Sequence, residues 1–470
     1  MITLSLAEIA AAVGGQLRLA GTDTAETLVG GGVDTDSRNI GPGGIFVAKP
    51  GAVTDGHAFI GAARENGAAL AIVEHPVDEP VSQIVVADAV EALGQLAQAV
   101  VARVRAGGGL RIAGITGSNG KTTTKNFLHR ILRDEGDTVA PIASFNNEVG
   151  APVTMLRVTD TTRFLVSEFG ASAPGAVEHL ARLAPPDVVV VLMVGLAHAG
   201  GFGSIDATAA TKAGLIEAAA DGAVAVLGID DPHVRAMAAR AEERGLRVVS
   251  FGQSDAAEVR ASDIEVTAAG TRSLVHVEGR TLPLRLAVLG AHHVHNALAA
   301  IAAARALGVD PAVSIARLET VEIAERWRMQ PLGSDRVRVI NDAYNASPDS
   351  MAAALRTLAQ ITAPHERTVA VLGAMSELGE QAGEEHDRIG LMAVRLNIAR
   401  IVIVGTEARR MYLAAIAEGS WDGEAVFFAS ADEAFDYLQG ELREGDRVLV
   451  KSSNAAGLRF LGDRLGESFS

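Results

Sequence analysis

The sequence predicts an α/β protein made of three consecutive units. Its 470 residues are more than one hydrophobic core usually accommodates. Short apolar runs rich in β-branched residues alternate with helical stretches along most of the chain, a pattern typical of parallel sheets covered by helices on both faces. We therefore predict an N-terminal unit at 1–107, a central unit at 108–318 and a C-terminal unit at 319–470.

The N-terminal unit combines short strands with helices. Its β-like runs lie at 45–47, 70–73 and 84–86, and residues 89–105 have helical character. Three consecutive glycines at 107–109 then interrupt the pattern, which favours a boundary between units. This part of the chain is predicted to be a small α/β domain.

The central unit shows the clearest alternation of strand and helix. Apolar runs at 112–116, 164–168, 188–194 and 223–228 are separated by helical patterns that include 122–134 and 207–220. Because these runs are apolar along their whole length, we predict a parallel sheet buried on both faces. An alanine-rich helical stretch at 297–307 lies near the end of the unit.

The C-terminal unit repeats the alternation with a separate set of strands. Its predicted strands lie at 337–341, 368–373, 401–404 and 447–450, with helical stretches between them. This order predicts a Rossmann-like α/β domain. One acidic cluster here, Glu384-Glu385-His386, lacks a second histidine at metal-ligand spacing and is interpreted as a solvated helix face.

The composition excludes several classes of function. The net charge is −16, with acidic residues spread along the chain, whereas general nucleic-acid binding requires a basic surface. The chain has no cysteine, which excludes disulfides and thiol catalysis. The N-terminus does not resemble a signal peptide, and the longest apolar run, 188–197, is about half the length of a membrane helix. We expect a cytoplasmic protein without nucleic-acid or membrane partners.

A glycine-rich loop at 116–122, between a predicted strand and a predicted helix, indicates phosphate binding. Its glycines let backbone N–H groups turn toward phosphate oxygens at the start of the helix. Lys121 can reach the β- and γ-phosphates of a nucleotide, and the Thr122 hydroxyl can bind Mg²⁺. The chain has Ile115 where the general pattern has glycine, so the loop is a variant. The predicted ATP-binding residues of this loop are Gly117, Ser118, Asn119, Gly120, Lys121, Thr122 and Thr123.

The TGSNGKT form of the loop resembles that of the Mur ligase family, and similar motifs continue in every unit. The resemblance is collinear over nearly the whole chain. The motifs that carry it are VDTDSR (33–38), SFNNEVG (144–150), SEFGAS (167–172), GLAHAGGFGS (195–204), ATKAGLIEA (210–218), GAHHVHNALAA (290–300), ERWRM (325–329), NDAYNASPDSM (341–351), VLGAMSELGE (371–380) and VLVKSSNAAGL (448–458).

The resemblance implies an ATP-dependent amide-forming ligase of cell-wall synthesis. NDAYNASPDSM and GAMSELGE are similar to the members that join D-alanyl-D-alanine to UDP-N-acetylmuramoyl-tripeptide through an acyl phosphate. The members that add the diamino acid carry a DNPR-type motif, which this chain lacks. A uridine-type N-terminal segment argues against the related folate polyglutamate ligases. These two classes remain the alternatives within the family.

The resemblance also implies a metal site, with Mg²⁺ expected at two positions. Glu168 ends a predicted strand and matches a metal ligand beside Thr122. His198 matches the histidine of a second metal. Lys212 matches a lysine that the family carries as a carbamate, an anion able to orient the metals. Together with Lys121, these residues form the predicted catalytic group.

The remaining predicted contacts divide between nucleotide and substrates. Asn296 is expected near the adenine, with His292 a further candidate, Arg328 at the phosphates and Asp342 at the ribose. His293 stands where many relatives have asparagine. The residues expected to bind the UDP-muramoyl-peptide or the dipeptide are Ser37, Arg38, Thr54, Asp55, His57, Asn146, Asn147, Tyr344, Asn345, Ser350 and Met351.

Two different classes of protein also fit a phosphate loop. A regulator that hydrolyses ATP to switch a protein partner would release phosphate without an acceptor amine. A nucleotide-binding scaffold would tolerate Lys121→Ala.

Two further expectations concern the ligase itself. It is expected to work as a monomer. Lys451, in the C-terminal motif, is a further candidate for substrate binding.

Overall fold

A computed structural model describes residues 1–51, 54–171, 173–196, 202–321, 326–419 and 424–470. These residues form sheets of five, nine and six strands and a separate two-stranded pair. Helices flank the larger sheets, and most neighbouring strands in them are parallel. The structure thereby confirms the predicted class of three α/β units, while the boundaries at 107 and 318 stay predictions.

The five-stranded sheet belongs to the N-terminal unit and has the order β2-β7-β6-β5-β4, with β2 antiparallel to β7. The short β1 and β3 pair with each other. Asp88 is the N-cap of the helix at 89–106, and its carboxylate accepts hydrogen bonds from two backbone N–H groups. The strands are β1 Leu4–Ser5, β2 Gln16–Arg18, β3 Leu28–Val29, β4 Val33–Asp34, β5 Gly44–Val47, β6 Ala68–Val73 and β7 Ser82–Val85. The helices are α1 Leu6–Ala12, α2 Ile60–Glu65 and α3 Ala89–Ala106.

The nine-stranded sheet forms the central unit. Its strands are β8 Arg111–Thr116, β9 Thr138–Val139, β10 Phe164–Glu168, β11 Val188–Val191, β12 Val224–Gly228, β13 Arg247–Gly252, β14 Val259–Thr267, β15 Gly270–Val277 and β16 Arg280–Leu286. Its helices are α4 Lys121–Leu132, α5 Gly150–Met155, α6 Ala176–Leu183, α7 Ile205–Glu217, α8 Pro232–Glu243, α9 Ala291–Ala306 and α10 Pro311–Leu318.

The order of this sheet, β16-β15-β14-β13-β12-β11-β8-β10-β9, places the phosphate-loop strand β8 in its interior. Strand β8 runs parallel to β11 on one side and to β10 on the other. The carboxyl ends of these strands therefore meet at one edge, where ligands bind in open α/β sheets. Strands β14 to β16 extend the sheet as an antiparallel meander, which the sequence analysis did not predict.

The six-stranded sheet forms the C-terminal unit with the order β17-β18-β22-β19-β20-β21. Strand β17 is antiparallel to β18, and the other neighbours are parallel. The strands are β17 Gln330–Gly333, β18 Val337–Asn341, β19 Arg367–Leu372, β20 Arg400–Val404, β21 Ala425–Phe428 and β22 Asp446–Lys451. The helices are α11 Pro348–Ile361, α12 Ala382–Arg395, α13 Arg409–Ala417, α14 Ala431–Glu441 and α15 Leu458–Ser468.

One part of the C-terminal sequence interpretation is wrong. His386 was assigned to a solvated helix face, but it is 4% exposed. Its Nε2 accepts a hydrogen bond from the Met375 backbone N–H at 3.0 Å, and its Nδ1 lies 2.5 Å from the Ala382 carbonyl oxygen. The imidazole thus ties the loop after β19 to the start of α12.

Among the described helices, none combines the length and apolar character that a membrane crossing requires.

A buried ion pair stabilises the C-terminal sheet and gives a first prediction. The Asp446 carboxylate, with a fully buried side chain, accepts from Arg367 Nε at 2.8 Å and Nη2 at 2.7 Å. Asp446→Ala removes two acceptors of the Arg367 guanidinium, which keeps the Glu441 carboxylate at 2.7 Å. We therefore expect the free energy of unfolding to fall by about 3 kcal/mol, the lower end of the cost of breaking a buried ion pair. Asp335→Ala, which removes an exposed partner of Arg338, should cost less than about 1 kcal/mol. Urea denaturation measures both, and equal small losses would contradict the prediction.

Candidate active site

A cavity of about 1010 Å³ lies where the carboxyl edge of the central sheet faces the C-terminal unit. Most residues predicted to bind the nucleotide or the metal contribute to its wall. The predicted residues that line it are Ser118, Asn119, Gly120, Lys121, Thr122, Thr123, Asn146, Asn147, Glu168, Asn296, Arg328, Asp342, Tyr344, Asn345 and Ser350.

The phosphate loop joins β8 to α4 and depends on Gly120. This residue has φ +85°, and a Cβ there would lie 2.2 Å from Asn296 Oδ1, so a side chain is excluded by both conformation and space. The Lys121 ammonium donates to the Gly117 carbonyl oxygen at 2.8 Å. Burial lowers the pKa of Lys121, while the nearby Glu168 carboxylate opposes the shift. The lysine cation therefore lies against the loop that is shaped for phosphates.

Glu168, at the end of β10, has the features of a metal ligand. It is 1% exposed, and its Oε1 accepts from Asn146 Nδ2 at 2.7 Å and from Thr122 Oγ1 at 3.3 Å. Its Oε2 is buried without a hydrogen-bond partner in the described ranges. A buried carboxylate oxygen without a donor is costly, and a divalent cation beside the Thr122 hydroxyl would satisfy it. These residues fit Mg²⁺.

Ser144 joins this cluster and was not singled out from the sequence. Its Oγ lies 3.0 Å from Thr122 Oγ1. The preceding residues are held by the buried Lys125, whose ammonium donates to the carbonyl oxygens of Pro141 at 2.9 Å and Ala143 at 3.1 Å. Ala143 itself has φ +50°. The loop that carries Ser144 is thus fixed against α4 by contacts that no local sequence pattern reveals.

Arg328 reaches the phosphate loop from the C-terminal side. Its Nη2 donates to Thr122 Oγ1 at 3.2 Å and to Ser144 Oγ at 3.1 Å. The guanidinium lies 4.2 Å from the centroid of the Tyr344 ring, a cation–π contact that fixes its plane. Its Nε is buried, and no acceptor for it occurs among the described residues. The side chain therefore joins the C-terminal unit to the phosphate loop at the cavity.

Beside the cavity, the C-terminal unit has an internal charge pair and one further hydrogen bond to the phosphate loop. Asp342 Oδ1 accepts from the Met329 N–H at 3.0 Å, and its Oδ2 accepts from Lys451 Nζ at 2.5 Å. Ser347 Oγ donates to Asn119 Oδ1 at 3.0 Å, which links the N-terminal end of α11 directly to the phosphate loop. Asp342 and Lys451 thus form one buried charge pair beside the cavity, and both line it.

The histidines at the start of α9 do not form a metal cluster. Burial lowers the pKa of His292 to about 4 and that of His293 well below its ordinary value, so both imidazoles are neutral near pH 7. Both ring nitrogens of His293 are buried without hydrogen-bond partners in the described part of the chain. His295 instead lies against the Leu192 carbonyl oxygen at 3.3 Å and the ring of Phe251. Asn296 and the first two histidines line the cavity.

Asp349 is another cavity residue that the sequence analysis did not single out. It lies in the first turn of α11, close to Gly195, where an added Cβ would come within 2.3 Å of its Oδ2. Burial raises the pKa of this carboxyl group. Neighbouring Ser350 also lines the cavity, whereas Met351 is fully buried in the core of the C-terminal unit and does not.

Lys212, on α7, is buried but does not line the cavity. It is 2% exposed. Burial, with a smaller contribution from the positive charge of Lys121, lowers its pKa to about 7. A substantial fraction of its amines is therefore uncharged near neutral pH. His198, the predicted ligand of a second metal, lies outside the described residues.

Five of the predicted substrate-binding residues lie in the N-terminal unit, away from the cavity wall: Ser37, Arg38, Thr54, Asp55 and His57. Ser37 is buried, Thr54 is exposed, and the exposed Arg38 pairs with Asp36 at 2.6 Å. They do not form one cluster with the phosphate loop. Their role stays a prediction.

His57, in the same unit, has both ring nitrogens engaged. Its Nδ1 lies 2.6 Å from Asp55 Oδ1, and its Nε2 accepts from the Glu74 N–H at 2.9 Å. The His75 ring stacks on it, with centroids 4.0 Å apart. Although Asp55, His57 and His75 are close enough to hold a metal, His57 would have to give up its backbone hydrogen bond. The geometry favours a rigid pair of stacked rings.

Family models match each of the three units. The Mur ligase family, catalytic domain, matches residues 31–102; the Mur ligase middle domain matches 115–304; and the Mur ligase, glutamate ligase domain, matches 327–454. The second match contains the phosphate loop and Glu168, and the third contains Arg328, Asp342 and Lys451.

Relatives and solved structures match nearly the whole chain. The UDP-N-acetylmuramoyl-tripeptide–D-alanyl-D-alanine ligase of Mycobacterium bovis is 43% identical over 99% of this chain and 98% of its own length. The Escherichia coli protein of the same name is 30% identical over 97% of both chains. A crystal structure of MurF from Acinetobacter baumannii is similar with a TM-score of 0.88 at 29% identity, covering 99% of each chain. MurF ligase from Thermotoga maritima, in complex with ADP, has a TM-score of 0.80 at 27% identity, covering 93% of this chain and 97% of that one.

Proposed function

The chain belongs to the Mur ligase family, and on that premise we propose that it is the ATP-dependent ligase that joins D-alanyl-D-alanine to UDP-N-acetylmuramoyl-tripeptide. The products are the UDP-muramoyl-pentapeptide precursor of peptidoglycan, ADP and phosphate. The observation that carries this function is similarity over 99% of the chain to a ligase named for these substrates. The cavity between the central and C-terminal units is consistent with it, because the phosphate loop faces Arg328 there.

The reaction that we propose has two steps. The terminal carboxylate of the tripeptide attacks the γ-phosphorus of ATP, the bond to the β-phosphate oxygen breaks, and an acyl phosphate and ADP result. The amine of D-alanyl-D-alanine then attacks the acyl carbon, phosphate leaves, and the amine loses a proton. Neither step requires a protein nucleophile. The protein contributes positioning and neutralisation of charge, which are the main contributions to catalysis of phosphoryl transfer.

Several cationic and hydrogen-bonding groups of the cavity have a role in this proposal. Lys121 and Arg328 approach the phosphates from opposite units and offset their negative charge. Asn296 and the neutral His292 bind the adenine end, and Asp342 accepts from the ribose hydroxyls. Thr122 and Glu168 would hold Mg²⁺, which would neutralise negative charge on the phosphates. Closure of the units excludes water from the acyl phosphate.

The remaining assignments complete the proposal. Asn146, Asn147 and Ser350 bind the muramoyl-peptide or the dipeptide at the cavity, while Ser37 and Asp55 belong to a uridine site in the N-terminal unit. We further propose that the enzyme works as a monomer. The lack of cysteine suits the reducing cytoplasm, where we place it.

The burial of Lys212 supports its conversion to a carbamate. The lysine cation first loses one proton; the nitrogen of the uncharged amine then bonds to the carbon of carbon dioxide and releases a second proton, so the cation becomes an anion. A pKa near 7 makes the uncharged amine available at neutral pH, and the carbamate would serve the second Mg²⁺ together with His198. We expect ¹³C-bicarbonate to give a carbamate signal by NMR in the wild-type protein. Lys212→Arg should lack the signal, and a signal of equal size in that variant would contradict the assignment.

A labelling experiment tests the two-step route. The tripeptide substrate is prepared with ¹⁸O in its terminal carboxylate and incubated with ATP, Mg²⁺ and D-alanyl-D-alanine. If the carboxylate attacks the γ-phosphorus, one ¹⁸O passes to the released phosphate, and mass spectrometry finds the label in that phosphate and in the pentapeptide. Unlabelled phosphate beside labelled pentapeptide would contradict the acyl phosphate.

A further inference from the structure

The segment that carries Arg328 has an unusual backbone. Trp327 and Met329 have φ angles of +63° and +48°, in the left-handed region that L-residues with large side chains rarely adopt. These two residues flank Arg328, so their conformation determines the direction in which the guanidinium leaves the chain. Contacts from outside the segment must stabilise this conformation.

Asp463, on α15, provides such contacts. Its Oδ1 and Oδ2 accept from Trp327 Nε1 at 3.1 and 2.9 Å. Arg326 Nη2 donates to Oδ2 at 2.8 Å, and Asn341 Nδ2 donates to Oδ1 at 3.0 Å. One carboxylate, with a side chain only 17% exposed, thus binds two consecutive residues of the segment and the end of β18. Charge-assisted hydrogen bonds of this kind are stronger than neutral ones.

The Trp327 side chain and backbone are held from other directions as well. The Arg459 guanidinium lies 5.2 Å from the centroid of the indole ring, and the Phe460 ring meets it edge-on with centroids 6.0 Å apart. The Trp327 carbonyl oxygen accepts from the Tyr344 N–H at 3.0 Å. Tyr344 in turn carries the ring on which Arg328 stacks. The indole is therefore fixed to α15 while its backbone is fixed to the cavity wall.

We propose that Asp463 is a positioning residue for ATP binding, acting through Trp327 to direct Arg328 at the phosphate loop. Asp463 does not line the cavity, so it has no direct contact there with a nucleotide. The Asp463 carboxylate binds the Trp327 indole, and Trp327 is joined to Arg328 by one peptide bond. The Arg328 guanidinium in turn donates to Thr122. This inference rests on the phosphate-binding role that we propose for Arg328.

Substitutions at both ends of the Asp463–Trp327 contact test the inference. Asp463→Ala should raise KM for ATP about tenfold, with less than a twofold change in KM for D-alanyl-D-alanine. Trp327→Phe keeps an aromatic ring but removes the N–H donor, and should have the same effect. Asp463→Asn keeps an acceptor for that N–H and should restore KM for ATP to within about threefold of wild type. Asp432→Ala, which removes an exposed partner of Arg464 on the same helix, is the matched control and should match wild type.

A double-mutant cycle separates this inference from the role of Arg328 itself. If Asp463 acts through Arg328, adding Asp463→Ala to Arg328→Ala causes no further rise in KM for ATP. Multiplicative effects of the two substitutions would overturn the inference while leaving Arg328 its role. A wild-type KM in Asp463→Ala and Trp327→Phe proteins that melt normally would do the same. A wild-type KM in Arg328→Ala would overturn that role and the inference with it.

Discussion

Lys121→Ala is expected to reduce the rate of pentapeptide formation by about 1,000-fold, with the fold retained. A preorganised cation at the site of charge development contributes on the order of 10²–10³ to the rate, and Lys121 is the cation of the phosphate loop itself. Removal of a buried charged amine should not destabilise the protein, because burial already disfavours its charged form. The measurement is the rate of UDP-muramoyl-pentapeptide formation, followed by mass spectrometry at saturating ATP.

The control for this prediction is Arg133→Ala. Arg133 ends the same helix, is 53% exposed in its side chain and lies outside the cavity wall. It should form pentapeptide at the wild-type rate. If Lys121→Ala keeps more than about a tenth of the wild-type activity, the phosphate loop does not take part in the reaction. That result would favour the nucleotide-binding scaffold instead.

Glu168→Gln is expected to lower kcat by at least about 100-fold while leaving thermal stability unchanged or higher. The amide keeps an oxygen for Asn146 and Thr122, so the neighbouring geometry is retained. The substitution removes the negative charge of a carboxylate with one unpartnered buried oxygen, and burying such a charge is costly to the fold. The activity should therefore fall while the thermal stability is kept or raised. This combination is typical of a metal ligand and not of a structural residue.

The dependence on Mg²⁺ distinguishes this explanation from simple loss of a hydrogen bond. If Glu168 holds Mg²⁺, the concentration needed for half-maximal activity rises at least about tenfold in Glu168→Gln. Glu178→Gln, which changes an exposed partner of Arg182 on α6, should leave both activity and Mg²⁺ requirement at wild-type levels. A Glu168→Gln enzyme with the wild-type Mg²⁺ requirement would exclude Glu168 as a ligand.

The residues that could be predicted from sequence are those whose function follows from local structure. Lys121 and Thr122 follow a strand and open a helix, and Glu168 ends a strand of the same sheet. Strand order then places them together, because the carboxyl ends of neighbouring parallel strands share one edge. The apolar, β-branched runs also predicted strands in all three units, among them β6, β11 and β20.

The contacts that escaped prediction depend on tertiary packing. Ser144 lies beside Thr122 because Lys125, on the same helix as Thr122, binds carbonyl oxygens of the loop that carries Ser144. His386 is buried although it lies in an acidic stretch, because its imidazole accepts a hydrogen bond from the Met375 N–H in the loop after β19. The strands β14 to β16 alternate polar and apolar residues on a half-exposed meander, so they lack the continuous apolar runs that identified the buried strands.

The most direct test of the central claim is the release of phosphate from ATP in the presence of UDP-N-acetylmuramoyl-tripeptide and Mg²⁺, with and without D-alanyl-D-alanine. A ligase releases phosphate steadily only when the dipeptide is present, with one pentapeptide formed for each phosphate. Steady release that ignores the dipeptide, without pentapeptide, would contradict the ligase and identify an ATP-hydrolysing regulator instead.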